Sequence, residues 1–467
     1  VVIIALRIRT FYVPLHVDEL GQYAIARAWQ RGASLYHDYW IDRPLGMMLM
    51  FRAVYAVGLN VMFGIRMMAL LLCLVGSAAC GSIAGRLSRS QAAMPASLAV
   101  GILTSLLRVD GHLANGELLS GSLGALALAC ILRAVWKTDR PSLLWLGVGG
   151  FVGGCALSVK QSAFDALGAG VLLVLYLAIR GSWPRRDRVL AVVVLAIGVL
   201  VPIGVMIGHA LASGWSEWWY AMVGFRSSEL GPFSGARFYN LRGSGRHVLP
   251  AVLLPGLVVL ALAVQALRKQ RSAMLWVLLA WSMLAVVAFM AGGLYWIHYW
   301  IILLFPLGTA VGALLPSDRS TRVQVAIVCA ALLVPFALGV RGSVRPSAEA
   351  PPGIMSRRAE HIAAWYSANA PQGATVYSQC SGQQIYGLIP ADPPVPFLWY
   401  THIEPVPQRR ARVAAIMQGP DAPTYIIEFQ KPEDCDPTRV IAQVLDERYR
   451  LVTTIDGAPI YERTDLG

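Results

Sequence analysis

The chain has 467 residues, of which 56% are hydrophobic and only 14% charged, with a formal net charge of +13. That balance is far more apolar than a soluble domain carries, so a purely water-soluble protein is excluded. The positive balance does not call for a nucleic-acid partner, because the bases gather in short loops between apolar runs, where membrane topology accounts for them.

Stretches such as 191–207, 251–267 and 323–340 hold no acid or base and approach the ~20 residues that a helix needs to cross a bilayer. Residues 1–13 read as the tail of a first spanning helix. The run is too short for a whole span and begins without Met, so the numbered chain is expected to lack its true start. The apolar sequence then stops at Leu15-His16-Val17-Asp18-Glu19-Leu20. Two more acids, an arginine and a proline follow in Asp38-Tyr39-Trp40-Ile41-Asp42-Arg43-Pro44-Leu45-Gly46. An acid in such a chain is costly unless it lies in a polar loop or a wet cavity, so the chemistry is expected here. Residues 44–60, apolar but for Arg52, read as a helix lying at the interface. Further spans are predicted at 61–84, 91–107, 117–136, 142–158, 163–180, 189–213, 248–267, 272–292, 298–315 and 323–341, about eleven in all.

Alternate short loops hold Arg86 and Arg89; Lys137 and Arg140; Arg180, Arg185, Arg186 and Arg188; Arg268, Lys269 and Arg271; Arg319 and Arg322. By the positive-inside rule these loops are cytoplasmic, and those at 15–60, 108–116, 158–162, 214–246 and 293–298 face outward. Beyond residue 344 the composition changes. A linker with Pro346, Pro351 and Pro352 leads into alternating helix-like stretches (356–369, 409–417) and strand-like ones (374–378, 424–429, 451–455, 459–462). The predicted domains are thus a transmembrane part, 1–343, with its acidic outer loop 15–60, and a soluble α/β part, 344–467, on the outer side. Cys380 and Cys435 of that part are a candidate disulfide in an oxidising compartment. The other five cysteines read as packing residues.

Each polar residue also has a plain structural reading. Asp18 can cap the helix that follows, with Glu19 in its first turn. Asp38 and Asp42 can be solvated loop acids, Glu117 can serve a helix dipole, and Lys160 can reach to headgroups. His298 beside Trp296, Tyr299 and Trp300 can belong to an aromatic belt. The loop 214–246, rich in Trp, Tyr, Phe and Arg, suits either an interfacial anchor or sugars, isoprenoid tails and phosphates.

Asp18-Glu19 after a membrane helix, then Tyr23, Ala26 and Gly32, then Tyr36-His37-Asp38 and Asp42-Arg43-Pro44-Leu45, resemble the first outer loop of the GT-C glycosyltransferases. The resemblance is closest to the bacterial branch akin to protein O-mannosyltransferases and the lipid A aminoarabinose transferase. Asn115-Gly116-Glu117, the segment 153–161 ending in Lys160-Gln161, and His298-Tyr299-Trp300 before Pro306 are weaker echoes. Arg43-Pro44-Leu45 departs from the Lys-Pro-Pro-Leu common in relatives. The resemblance implies a mainly α polytopic fold and transfer of a sugar, with inversion, from a polyprenyl-phosphate donor to a glycan, lipid or protein acceptor. The reaction would take place at the outer face of the cytoplasmic membrane. On this reading Asp18 is the base and Glu19 positions it or holds a metal. Arg43, Lys160 and His298, with Tyr299 beside them, bind the donor phosphate, while Tyr23, Asp42 and Glu117 shape the sugar site. A divalent ion shared by Glu19, Glu117 and His298 is an option the residues leave open, although no compact ligand run is present. The competing classes are a transporter or flippase for a lipid-linked glycan and a membrane-anchored assembly protein. Transport is disfavoured because the acids collect at one face and the span middles are nearly free of charge. An anchor needs neither so many spans nor a paired acid.

Overall fold

The computed structural model describes residues 1–467 except 182, 226, 228–234, 269–271, 316–318, 346–353, 381, 430–435 and 467. The predicted proline linker at 346–352 and Arg226, Phe233, Lys269, Arg271 and Cys435 lie outside the described residues. The chain is mainly helical, with one small sheet near its end.

A short helix α1 (Val2–Arg7) and a 3-10 turn stand where the first span was predicted. Pro14 and the acidic loop stop the helix there. α2 (Val17–Gln30) and α3 (Leu45–Ala56) follow and pack on each other. α4 (Val61–Leu87), α5 (Ala93–Leu103), α6 (Gly116–Val135), α7 (Leu143–Val159), α8 (Asp165–Arg180) and α9 (Arg185–Ser213) then form the first part of the membrane bundle. The helices Gly235–Arg268, Ser272–Ala291, Ile301–Ala313 and Thr321–Val344 complete it. Every predicted span from residue 61 onward coincides with a helix. By length and composition alone, six among the described residues can cross a membrane, so the helices do not fix a count of eleven.

The predicted outward loop 214–246 is shorter than expected. Trp215–Trp219 is helical, and the last bundle helices are joined by one that already starts at Gly235. That helix carries Pro250 and Pro255 inside it, breakers that membrane helices tolerate.

α9 shows why the bundle belongs in lipid. Val193, Ile197, Leu200, Val201 and Val205 are exposed on one face, a stripe that water would penalise. Its other side meets α7 through small residues. A Cβ on Gly150 would stand 2.4 Å from the Leu195 carbonyl oxygen, and one on Gly198 would stand 2.5 Å from the Gly147 carbonyl oxygen. Such contact between backbones is how helices associate where no hydrophobic force acts between them. It fixes the end of α7, where Lys160 is the C-cap residue.

After helix Ile354–Asn369 come β1 (Val376–Gln379), β2 (Tyr425–Glu428), β3 (Tyr449–Ile455) and β4 (Ala458–Arg463), in sheet order β1-β2-β4-β3. β1 and β2 are parallel, and both pairs made by β4 are antiparallel. β3 and β4 join at Asp456-Gly457, both with positive φ, the two-residue turn that matches the twist of a hairpin. Cys380 is disulfide-bonded, and Cys73, Cys80, Cys130, Cys155 and Cys329 are free.

Candidate active site

The start of α2 decides what its acids can do. His16 is the N-cap: its Nδ1 accepts from the Asp18 amide (3.3 Å), and Glu19 accepts from the His16 amide (2.8 Å), closing a capping box. Asp18 is therefore not the cap, and its carboxylate is left for other work.

Glu19 is committed further. Its two oxygens lie 2.8 and 3.1 Å from Arg66 Nη1, and one of them also accepts from the Ala114 amide (2.8 Å). Arg66 projects from the first turns of α4 and also donates to the carbonyls of Thr10, Val13, Pro14 and His112. This buried, fully bonded pair ties α2 to α4 and to the loop before α6. The expected alternative, Glu19 as a metal ligand, meets a carboxylate already in use. Among the described residues no group of three or more His, Cys, Asp or Glu side chains is placed to hold a metal ion.

Asp18 faces a cavity of about 280 Å³. The lining comes from five separate segments: His16 to Gln22 with Arg43 and Pro44, Leu113 to Glu117, Val159 to Phe164, Met222, and Ala291 to Tyr299. Each belongs to, or borders, one of the loops expected on the outer side. Asp18, Glu19, Arg43, Glu117, Lys160, His298 and Tyr299 all line this space. Tyr23 and Asp42, expected to shape a sugar site, do not. Tyr23 turns its ring edge to Tyr55 of α3 at 5.9 Å, and Asp42 is drawn away by Arg43 and a histidine from the C-terminal part. Asp38 is the solvated loop acid of the plain reading, accepting from the Ser34 amide.

Opposed charges fill the cavity. Burial pushes the Asp18 carboxyl up, but His16, Arg43 and a hydrogen bond from Trp399 outweigh it and hold the group below the usual carboxylate range. Arg43 donates to Asp42 at 2.9 Å, and burial, which disfavours its charge, is overcome by Asp42 and Asp18. Lys160 pairs with Glu117 at the start of α6, where Asn115 caps the helix by accepting from the Leu118 amide, and it lies 4.3 Å from the Tyr299 ring centroid. His298 stands between Asp110 (3.7 Å) and Glu117 (4.0 Å). An anion entering here meets Arg43, Lys160 and His298 within one small space, together with a carboxylate kept ionised.

Sequence reasoning allowed a C-terminal contribution to the site but named none of its residues. The Trp399 indole Nε1 donates to Asp18 Oδ1 at 2.7 Å, and His402 Nε2 lies 3.4 Å from Asp42 Oδ1. Arg409 lies over the Trp40 ring at 3.7 Å, and the Trp40 amide donates to the Pro396 carbonyl at 2.9 Å. On α2, Arg27 donates to Asp392 and to the carbonyls of Ile389 and Ala391. No local pattern around Trp399 signals its partner, which is 381 residues away. The run Pro396-Phe397-Leu398-Trp399-Tyr400, more apolar than a surface loop, was the available hint.

No family model matches the sequence, and no curated protein matches it. Solved structures do. The aminoarabinose transferase ArnT from Cupriavidus metallidurans, in a crystal structure bound to undecaprenyl phosphate, superposes with a TM-score of 0.70 at 15% identity, covering 98% of this chain and 96% of that one. The Archaeoglobus fulgidus oligosaccharyltransferase in its apo form gives 0.61 at 13% identity, over 96% of this chain and 71% of the other. The same organism's AglB, in complex with an inhibitory peptide and a dolichol-phosphate, gives 0.58 at 12%, over 100% and 73%. Identities this low speak for the fold alone, and this chain shares the fold of these transferases.

Proposed function

We propose that the chain is an integral-membrane inverting glycosyltransferase. It takes a hexosyl or pentosyl group from a polyprenyl-phosphate donor and passes it to a glycan, lipid or protein acceptor at the outer face of the cytoplasmic membrane. The observation that carries this reading is Asp18 in one cavity with Arg43, Lys160 and His298. Similar structures solved with undecaprenyl phosphate and dolichol-phosphate support a lipid-phosphate donor.

In the mechanism Asp18 accepts the proton of the acceptor hydroxyl as that oxygen bonds to the anomeric carbon. The bond from this carbon to the donor phosphate breaks on the opposite face, and the phosphate leaves with the electron pair. The Arg43 guanidinium suits two phosphate oxygens at once, and Lys160 and His298 meet the charge that grows on the leaving group. Glu19 and Arg66 hold the start of α2 in place, and Glu117 orients Lys160. The soluble C-terminal part lies on the outer side with the cavity.

The test is transfer of labelled sugar from a panel of polyprenyl-phosphate sugars into membranes, comparing wild type with Asp18→Asn. Transfer by wild type and its loss in a folded Asp18→Asn supports the reading. Equal rates would remove Asp18 as base, and no transfer by wild type from any donor would remove the transferase.

A further inference from the structure

The C-terminal part is docked onto the acidic loop by contacts of several kinds. One of them, the indole N–H of Trp399 donating to Asp18 Oδ1 at 2.7 Å, reaches the cavity carboxylate itself. We propose that Trp399 is a positioning residue of the active site, which sets the rotamer and the charge of Asp18 from the far end of the chain. The proposal rests on the role given to Asp18 above.

Three independent features of the packing serve this one bond. The first is space: a Cβ on Gly21 would stand 3.0 Å from Trp399 Cζ2 and 2.9 Å from Gln383 Cγ, so a glycine one turn along from Asp18 lets the indole lie against α2. A Cβ on Gly387 would likewise meet Leu20 Cδ2 at 2.4 Å, so the approach is close from both sides. The second is support behind the indole. The Trp399 ring lies 5.3 Å from the His402 ring, which stands edge-on to Trp40 at 4.7 Å and to Phe225 at 5.6 Å. Burial holds His402 below the ordinary imidazole range despite Asp42, so the ring packed against the indole is uncharged, with Arg409 lying over Trp40 beyond it. The third is anchorage: Arg27, with its side chain almost wholly buried, fastens the segment 389–392 to the same helix that carries Asp18.

An indole suits this place for a chemical reason. It donates one hydrogen bond, accepts none and never charges, so it can take up one oxygen of a carboxylate without competing for the proton. Asp18 Oδ1 is held, and Oδ2, with His16 Nδ1 3.8 Å away, is the oxygen that receives the acceptor's proton. A hydrogen bond to the ionised form also favours that form, so the base remains ready in stronger acid than an ordinary aspartate would.

The experiment has a readout that does not need the substrate. In the full-length protein in nanodiscs, the Trp399 indole N–H resonance, assigned by its loss in Trp399→Phe, should move on acidification. That movement should vanish in Asp18→Asn. In the transfer assay Trp399→Phe should lower kcat on the order of tenfold, the scale of one lost hydrogen bond to a charged group. It should leave the KM for donor near wild type and move the acid limb of the rate profile to higher pH. Asp392→Ala, which loosens the docking but keeps the indole, should not move that limb. The proposal is overturned if the resonance ignores Asp18→Asn, if Trp399→Phe keeps the wild-type rate and profile, or if Asp392→Ala shifts the limb as far. Should wild type transfer nothing from any donor while the resonance still follows Asp18, the coupling of the two residues stands and the transferase reading falls.

Discussion

Arg66 sits in an apolar helix, where a charge survives only with a partner, and its neighbours supply an uncommon number of them. One carboxylate and four backbone carbonyls converge on its guanidinium. Replacement of Arg66 by Ala strands Glu19 as a buried anion, a change that costs about 3–5 kcal/mol. The melting temperature of the purified protein should fall sharply, whereas Asp18→Asn should melt close to wild type. The sequence placed an arginine in a predicted span but gave no means of finding its partner 47 residues earlier. Asp18 was legible because two acids ended an apolar run; that it is free of capping duty was not, since a histidine is seldom the N-cap. Its pH behaviour gives a second prediction. The Asp18 carboxyl lies below its ordinary value, so the base is present above that lowered value and is lost only as the pH falls through it. Arg43→Gln removes one of the charges that hold it down, and the acid limb of transfer should move to higher pH.

At the scale of elements, the pattern of hydrophobicity located every bundle helix from residue 61 onward, though helix Gly235–Arg268 starts well before the predicted 248, and all four strands to within about two residues. Those signals are local, a period or a run, and local signals are what a sequence displays. Helix Val440–Arg448 escaped notice although Ile441, Val444 and Leu445 share one face. Its cap is remote: Asp436 accepts from the amides of Val440, Ile441 and Ala442. The meeting of α2 with the C-terminal part was equally invisible, because it depends on the absence of a side chain at Gly21. Gly21→Ala should therefore separate the two elements without harming the helix itself, for which Ala is the better residue. Faster amide exchange in segment 385–403, with slower transfer, would be the outcome; unchanged exchange would mean that the interface gives by a few tenths of an ångström.

For the whole molecule, the five cavity-lining segments are those that the distribution of basic residues assigned to one side. Agreement between a charge rule and a cavity predicts an orientation. In intact cells a membrane-impermeant maleimide should label Asp456→Cys in the hairpin turn of the sheet. Lys137→Cys, in a loop rich in bases, should react only after the membrane is opened. The reverse pattern would place the cavity on the cytoplasmic side. The bond from Trp399 to Asp18 also bears on how such a protein is made. Its two ends are separated by 381 residues, among the longest loops this chain can close. A ribosome inserts the acidic loop 381 residues before it makes Trp399. Until Trp399 emerges the nascent bundle thus carries its arginine, lysine and histidine with the carboxylate unclasped, and it becomes competent only once that segment has docked.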